Sequence, residues 1–227
     1  MIVIPELLSA EQAGTIAATL DGGQFNDGNA TTGNASTGNA SAGLKRNLEL
    51  AADATRKQLG ETVLGAVRAH EIFATTAFPA KYSFPMFSRY ETGMYYDFHT
   101  DAAIMNMGGH NPVRTDLSCT IFLHDPDSYS GGELTVEGPH GRRQVKLPAG
   151  HAVIYDTSDL HRVEAVTQGA RLAAVFWIQS HVRDAARRAI SMRLNGLCRR
   201  LADSGSPKSD QDLAARTVHD LLRMWAA

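Results

Sequence analysis

Alternating apolar and polar residues dominate the middle of the chain, between about residues 84 and 178. Short runs rich in β-branched and aromatic residues are separated by turn sequences such as Glu91-Thr92-Gly93 and Ser130-Gly131-Gly132. This pattern predicts strands near 84–90, 95–100, 117–124, 133–137, 143–146, 152–155, 161–166 and 171–178. No helical pattern lies between them, which disfavours a doubly wound α/β fold. We therefore predict a mainly β protein with flanking helices, built on a double-stranded β-helix (jelly roll) core.

The segment before these strands has helical patterns. Ser9 and Gln12 have the spacing of a capping box, which predicts a helix that ends near Leu20. A second helix is predicted from Asn47 to about Ala69, broken or bent near Gly60. The N-terminal part is thus expected to support the β core with helices.

The segment after the strands is also helical in pattern. Apolar residues recur at three- and four-residue spacing from Val182 to Leu201. Ser204-Gly205-Ser206-Pro207 predicts a break, and Ser209 is a candidate cap for a second helix. This helical hairpin covers one sheet or, alternatively, forms a subunit interface, so a homo-oligomer through the C-terminal helices is possible.

The pattern divides the chain into three parts. Residues 1–80 are the predicted N-terminal helical support, residues 81–180 the jelly-roll core, and residues 181–227 the C-terminal helical segment. A low-complexity stretch at 26–43 contains three tandem copies of a five-residue Gly-Asn-Ala repeat. Small polar residues cannot bury enough apolar surface to order the backbone, so a mobile surface loop is expected there.

Composition narrows the class of protein. The chain has 227 residues, a net charge of −2 and a pI near 6.5, which gives no electrostatic reason to expect nucleic acid or an anionic membrane as partner. Cys119 and Cys198 lack metal-ligand spacing, which favours a reducing compartment. Neither a signal peptide nor an apolar run of membrane-spanning length is evident. A cytoplasmic protein is expected.

The candidate chemistry lies in the triplet His99-Thr100-Asp101 and in His161. Residues i and i+2 of a strand share a face, so His99 and Asp101 can bind one metal ion from the same side. A second histidine, His161, would complete the 2-His-1-carboxylate set typical of non-heme Fe(II) oxygenases. Asp97 shares the predicted face and is the main competitor for the carboxylate role. Asp159, in the turn before His161, is a lesser one.

Arg171 is a candidate clamp for a carboxylate co-substrate, because its guanidinium can donate two parallel hydrogen bonds. Thr167-Gln168-Gly169 fits a three-residue hairpin loop, which would pair Ala165 with Arg171. Arg171 and His161 would then share a face, roughly 13 Å apart along the strand. The alternative is a surface salt bridge.

These residues lie in a longer stretch of sequence that resembles the PKHD-type hydroxylases, which are bacterial relatives of the prolyl 4-hydroxylases among the Fe(II)/2-oxoglutarate-dependent dioxygenases. The likeness covers most of the chain from about Phe84. The matching segments are Arg89-Tyr90-Glu91-Thr92-Gly93-Met94-Tyr95-Tyr96-Asp97-Phe98-His99-Thr100-Asp101-Ala102, Arg114-Thr115-Asp116-Leu117-Ser118, Tyr129-Ser130-Gly131-Gly132-Glu133-Leu134, Leu147-Pro148-Ala149-Gly150, Ser158-Asp159-Leu160-His161-Arg162-Val163, Gly169-Ala170-Arg171 and Phe176-Trp177-Ile178-Gln179-Ser180.

The resemblance implies Fe(II) bound by His99, Asp101 and His161, with the distal carboxylate of 2-oxoglutarate on Arg171. It also implies O2 as co-substrate, with ascorbate as a possible further requirement. The reaction would hydroxylate an unactivated C–H bond of a small-molecule or peptidyl substrate and convert 2-oxoglutarate to succinate and CO2. Tyr90 resembles a tyrosine that faces the co-substrate or substrate in related hydroxylases, or else belongs to the core.

Two features depart from the family pattern. The Gly-Asn-Ala repeat resembles an expansion of a loop that relatives keep shorter, which bears on substrate access. Phe122 stands where related prolyl hydroxylases often carry a tyrosine that helps to hold 2-oxoglutarate, so Arg171 would need a different polar partner.

A rival hypothesis is a cupin-like metal-binding protein with a non-oxygenase or sensing role, which would not require Arg171. A structural adaptor with a dead site is a third, which the intact ligand set and Arg171 argue against.

Overall fold

Two antiparallel sheets form the middle of the molecule in the computed structural model, which describes residues 1–29, 44–105, 112–139 and 141–226. In chain order the strands are β1 (Ile2–Ile4), β2 (Phe25–Asp27), β3 (Lys45–Arg46), β4 (Leu48–Leu50), β5 (Pro79–Tyr82), β6 (Met86–Glu91), β7 (Tyr95–His99), β8 (Ile104–Met105), β9 (Val113–Arg114), β10 (Leu117–Phe122), β11 (Ser130–Gly131), β12 (Leu134–Gly138), β13 (Gly141–Val145), β14 (Ala152–Asp156), β15 (Leu160–Val163), β16 (Val166–Gln168) and β17 (Ala170–Ser180). The helices are α1 (Ala10–Asp21), α2 (Ala54–Ala69), α3 (Glu71–Ala77), α4 (Ala185–Asp203) and α5 (Lys208–Trp225).

The large sheet has the strand order β1-β14-β10-β17-β6-β4-β2, with β5 alongside β17. The small sheet has the order β13-β12-β15-β7-β3. Buried side chains from the two sheets pack together in one cluster, so the sheets face each other. Helices lie at both ends of the chain. The predicted jelly roll with flanking helices is confirmed.

The large sheet is buried on both sides, and alternate residues of each strand point to opposite faces. The helix face packs against α1, α2 and α3 in an aliphatic and aromatic core. Its strand residues are Phe87, Leu117, Cys119, Ile121, Ile154, Leu172, Ala174 and Phe176. The inner face is turned towards the small sheet. From the strand registers, its residues are Tyr90, Ser118, Thr120, Phe122, Val153, Tyr155, Arg171, Ala173 and Trp177.

The helix predicted over Asn47–Ala69 is wrong in its first part. Residues 48–50 form strand β4, which pairs with β6, and the helix begins only after Asp53, whose carboxylate accepts a hydrogen bond from the Arg56 amide. The predicted break near Gly60 is also absent, because α2 continues through it. A Cβ at Gly60 would come within 2.3 Å of the Phe84 ring, so this glycine allows the helix to pack closely against the segment between β5 and β6.

The C-terminal helices form the predicted hairpin. The break comes at Ser204–Pro207, but α5 begins at Lys208 after Pro207, so Ser209 does not cap it. Arg199 donates a hydrogen bond to the Thr75 hydroxyl at 2.9 Å, which joins α4 to α3. Arg188 is buried and makes an ion pair with Asp156 at the end of β14. The hairpin is therefore attached to both the helical layer and the large sheet.

Two further sequence predictions concern a mobile loop and membrane-spanning segments. The predicted mobile loop falls mostly on residues 30–43, which lie outside the described residues. None of the helices within the described ranges combines the length and the apolar character needed to cross a membrane.

Candidate metal centre and co-substrate pocket

The structure brings His99, Asp101 and His161 together. One ligand atom from each lies within 4.8 Å of the others, and His161 Nε2 is 3.6 Å from Asp101 Oδ2. His99 ends β7, Asp101 follows two residues later outside the strand, and His161 lies directly opposite His99 on β15. Two imidazoles and one carboxylate at this separation form a donor set that fits a divalent transition metal and leaves coordination positions open.

A β-bulge in β7 decides which carboxylate reaches this group. His161 pairs with His99 and Val163 pairs with Tyr96, so the single residue between them on β15 lies opposite both Asp97 and Phe98. The extra residue breaks the two-residue alternation on which the sequence argument relied. Asp97 is therefore exposed, and its carboxylate accepts a hydrogen bond from the Phe98 amide at 2.7 Å. Asp101, not Asp97, lies beside the two imidazoles.

Each histidine ring is oriented by a backbone carbonyl two residues before it. His99 Nδ1 donates to the Asp97 carbonyl at 2.7 Å, and His161 Nδ1 donates to the Asp159 carbonyl at 2.9 Å. A carbonyl can only accept, so Nδ1 carries the proton in both rings and Nε2 keeps its lone pair for a metal. The competitor Asp159 thus contributes its carbonyl to the site.

The Asp101 carboxylate is held from the large sheet. Ser118, on the inner face of β10, donates a hydrogen bond to Asp101 Oδ2, and the Asp101 amide donates to the Thr157 carbonyl at 3.4 Å. These contacts come from segments distant in sequence. Sequence analysis did not identify Ser118 as part of the site, although its small hydroxyl between Leu117 and Cys119 was a usable signal.

Aromatic rings enclose both histidines. The Tyr96 ring stacks on His99 with centroids 3.6 Å apart, and the Tyr155 ring meets His161 edge-on at 4.9 Å. Burial, and secondly the neighbouring His161, lowers the pKa of His99 to about 4, so its ring is neutral near pH 7. A neutral imidazole is the form that binds a metal. Sequence analysis assigned no role to Tyr96 or Tyr155.

Arg171 is among the most buried side chains of the protein, at 1% exposure. Its Cζ lies 5.3 Å from the ring centroids of Tyr90 and Phe122, which flank it on the inner face. Within the described residues, Nε and Nη2 have no hydrogen-bond partner. Because buried guanidinium N–H groups without hydrogen-bond partners are costly, the arrangement fits an anionic ligand such as the distal carboxylate of 2-oxoglutarate. The surface salt-bridge alternative does not fit this burial.

The register that the sequence suggested for Arg171 is wrong. β16 pairs with β11, and β17 pairs with β6 and β10, so Thr167–Gly169 does not close a hairpin between Ala165 and Arg171. Gly169 does have a positive φ of 74°, as the turn required. Arg171 reaches the interior because it lies opposite Tyr90 on the inner face of the large sheet, whereas His161 belongs to the small sheet.

Tyr90 is a core residue that also lies beside Arg171, and its predicted contact with the co-substrate or substrate stays a prediction. It is buried in the cluster between the sheets, and its ring also lies beside the Arg171 guanidinium. Burial raises the pKa of Tyr90 to about 12, against the opposing effect of Arg171, so its hydroxyl stays protonated near neutral pH. Tyr90 is thus a core residue that borders the pocket.

Comparison with known proteins shows the class of enzyme to which this protein belongs. Residues 85–179 match the 2OG-Fe(II) oxygenase superfamily, and this range includes the three metal-ligand candidates and Arg171. The protein is an oxidoreductase of the dioxygenase type, which uses Fe(II) and 2-oxoglutarate. Within this class, the chain belongs to the PKHD-type hydroxylases. It is 40% identical over 227 residues to such a hydroxylase from Stenotrophomonas maltophilia (strain R551-3), covering 100% of this chain and 99% of the relative.

Other matches agree. A PKHD-type hydroxylase from Hyphomonas neptunium is 42% identical over 236 residues, which covers 100% of this chain and 99% of that one. Among solved structures, a Pseudomonas putida prolyl-4-hydroxylase superposes with a TM-score of 0.52 at 16% identity, over 79% of this chain and 91% of that chain. HygX from Streptomyces hygroscopicus, solved with nickel and 2-oxoglutarate bound, gives 0.50 at 14% identity, over 77% and 80%. At these identities the structures show a shared fold.

Proposed function

We propose that this protein hydroxylates an unactivated C–H bond, with Fe(II) held by His99, Asp101 and His161 and 2-oxoglutarate held by Arg171. The observation that carries the proposal is the pairing of a compact His-Asp-His group with a buried guanidinium whose Nε and Nη2 have no hydrogen-bond partner among the described residues. When bound, the iron and the keto acid supply oxidative decarboxylation to succinate and CO2 coupled to hydroxylation of the substrate.

The chain's own residues place these groups and exclude water. The carbonyls of Asp97 and Asp159 keep the imidazole Nε2 atoms free for the metal, and Ser118 holds the carboxylate of Asp101. Tyr90 borders the carboxylate site beside Arg171. Apolar residues from both sheets surround the pocket and keep its dielectric low, which strengthens the attraction between a guanidinium and a carboxylate.

A cupin-like metal-binding role is the alternative. It would use the same three side chains to hold a metal. It would provide no bound anion for Nε and Nη2 of Arg171, which are buried and have no hydrogen-bond partner among the described residues. Succinate formation distinguishes the two functions, because a dioxygenase forms succinate from 2-oxoglutarate with Fe(II) and O2 even in slow uncoupled cycles. Purified protein should release succinate above a metal-free control, and the His161→Ala variant should not. Absence of succinate from wild type under all substrate pools would favour the cupin-like role.

The substrate class proposed here is a small molecule or a peptide. Prolyl residues, free amino acids and siderophore-like compounds are the candidates. Screening peptide and metabolite pools for stimulation of succinate release, followed by detection of a product 16 Da heavier, identifies the class directly. Ascorbate is expected to sustain turnover in long assays by re-reducing iron oxidised in uncoupled cycles. Equal rates with and without ascorbate would remove that requirement.

A further inference from the structure

A second unpartnered polar group lies at the Arg171 end of the pocket. Tyr129, in the segment before β11, is 4% exposed, and its hydroxyl has no hydrogen-bond partner among the described residues. Leaving such a group buried without a partner is unfavourable. Two neighbouring side chains with unfilled donors therefore indicate one shared ligand.

Tyr129 and Arg171 converge at Gly132. A Cβ at this glycine would lie 3.1 Å from Arg171 Cδ and 3.1 Å from Tyr129 Cε2, and its φ of 69° is one that side chains rarely adopt. The Tyr-Ser-Gly-Gly segment thus lets the phenol and the guanidinium approach the same space. Burial raises the pKa of Tyr129, against the opposing effects of the Arg171 charge and of the approach of its guanidinium N–H to the phenol oxygen, so the phenol keeps its proton and can donate it near neutral pH.

Lys146 contacts Tyr129 at both its backbone and its ring. Lys146 Nζ donates to the Tyr129 carbonyl at 2.7 Å and lies 4.0 Å from the centre of the phenol ring. On the inner face, Phe122 also borders Arg171 but has no hydroxyl to donate. The polar partner that Phe122 cannot supply is therefore available from Tyr129, seven residues further along the chain.

We propose that the Tyr129 hydroxyl donates a hydrogen bond to the distal carboxylate of 2-oxoglutarate, alongside the guanidinium of Arg171. This inference rests on the proposed function. An ionised carboxylate has about four lone-pair sites, so it can accept from Nε, Nη2 and the phenol at once. Tyr129 is then a co-substrate-binding residue, and Lys146 is the residue that positions it.

The test is calorimetric titration of 2-oxoglutarate into anaerobic, Mn(II)-loaded protein. Tyr129→Phe keeps the ring and removes only the oxygen, so it should weaken 2-oxoglutarate binding roughly ten- to 100-fold while leaving Mn(II) affinity unchanged. Tyr82→Phe, which removes a hydroxyl from a ring packed on Phe73 and Phe176, is the matched control and should bind like wild type.

A keto acid without the distal carboxylate makes the test specific. The affinity for 2-oxopentanoate should be the same in wild type and Tyr129→Phe. An equal loss for both keto acids would mean that the substitution changes the pocket as a whole, and it would overturn the assignment. So would unchanged 2-oxoglutarate affinity in Tyr129→Phe when wild type binds well. Failure of wild type to bind 2-oxoglutarate would instead overturn the proposed function itself.

Stability without ligand gives an independent measurement. Because the hydroxyl has no hydrogen-bond partner among the residues that the structure describes, Tyr129→Phe should melt at the same temperature as wild type or higher. Added 2-oxoglutarate should raise the melting temperature of the variant less than that of wild type. A variant that melts markedly lower, or does not fold, would show that the hydroxyl already has a structural partner and would overturn the proposal.

Discussion

The two faces of the large sheet carry different kinds of residue although the same strands build them. The helix face is lined with side chains such as Ile121, Ile154 and Phe176, and none of its core residues is among the described side chains with an unpartnered buried polar atom. The inner face carries hydroxyls, tyrosines and Arg171, and buried nitrogens of Arg171 and Trp177 have no hydrogen-bond partner in the part of the chain that the structure describes. One face therefore stabilises the fold, and the other keeps donors available for ligands.

The largest expected effect of a single substitution is at the metal-ligand candidates. His99→Ala, Asp101→Ala and His161→Ala should each lose measurable binding of Fe(II) or Mn(II) and all succinate formation while remaining folded, since three ligands are the minimum set. Anaerobic metal titration and circular dichroism check this. Asp97→Ala is the matched control and should keep the metal. A variant set in which Asp97→Ala lost the metal and Asp101→Ala retained it would reverse the carboxylate assignment.

The helix face should respond in stability rather than in binding. Phe176 is fully buried against Phe73 and Tyr82, so Phe176→Ala should lower the free energy of unfolding by about 3–5 kcal/mol through lost burial and a cavity. Urea unfolding measures this loss. Phe98→Ala, at a half-buried ring between Arg142 and Arg162, should cost less. Equal losses at the two positions would contradict the assignment of the helix face as the main source of stability.

On the inner face, Arg171→Met should weaken 2-oxoglutarate binding by roughly ten- to 150-fold, equivalent to about 1.5–3 kcal/mol, with Fe(II) affinity nearly unchanged. Arg171→Lys should lose less because it keeps the charge but not the two-pronged geometry. Arg142→Met is the control, because it removes an exposed ion pair with Glu137 and a contact with the Phe98 ring. Arg142 lies on β13, the edge strand of the small sheet, whereas Arg171 belongs to the large sheet. Wild-type affinity in Arg171→Met, measured by anaerobic calorimetry, would exclude Arg171 from the pocket.

The smallest effect is expected outside both faces. The sequence predicts a mobile loop at the Gly-Asn-Ala repeat, so deletion of Gly33 to Ala42 should change stability by less than about 1 kcal/mol, since closure entropy varies only by about 0.6 kcal/mol per doubling of loop length. Thermal melting checks this prediction. A large fall in melting temperature would show that the repeat packs against one of the two faces.

The local sequence pattern was sufficient to predict the main core strands and to identify the candidate metal ligands. Strand alternation and turn residues predicted the jelly roll, and the His-x-Asp spacing with a distant histidine identified His99, Asp101 and His161 as a set. These features depend on neighbours a few residues apart, which the sequence displays directly. The same local reasoning failed for residues 48–50, whose strand is stabilised by pairing with β6 and not by any signal of their own.

Contacts between distant segments determined which side chains meet at the candidate site. The bulge in β7 excludes Asp97, and pairing of β17 with β6 and β10 places Arg171 on the inner face by a route other than the predicted hairpin. Ser118 and Tyr129 reach Asp101 and Arg171 only because separate strands meet in the interior. The sequence by itself therefore determined the main strands of the core and the chemical groups of the candidate site. Only the tertiary structure decided which groups meet, because a single extra residue in a strand reverses the face on which every following side chain lies.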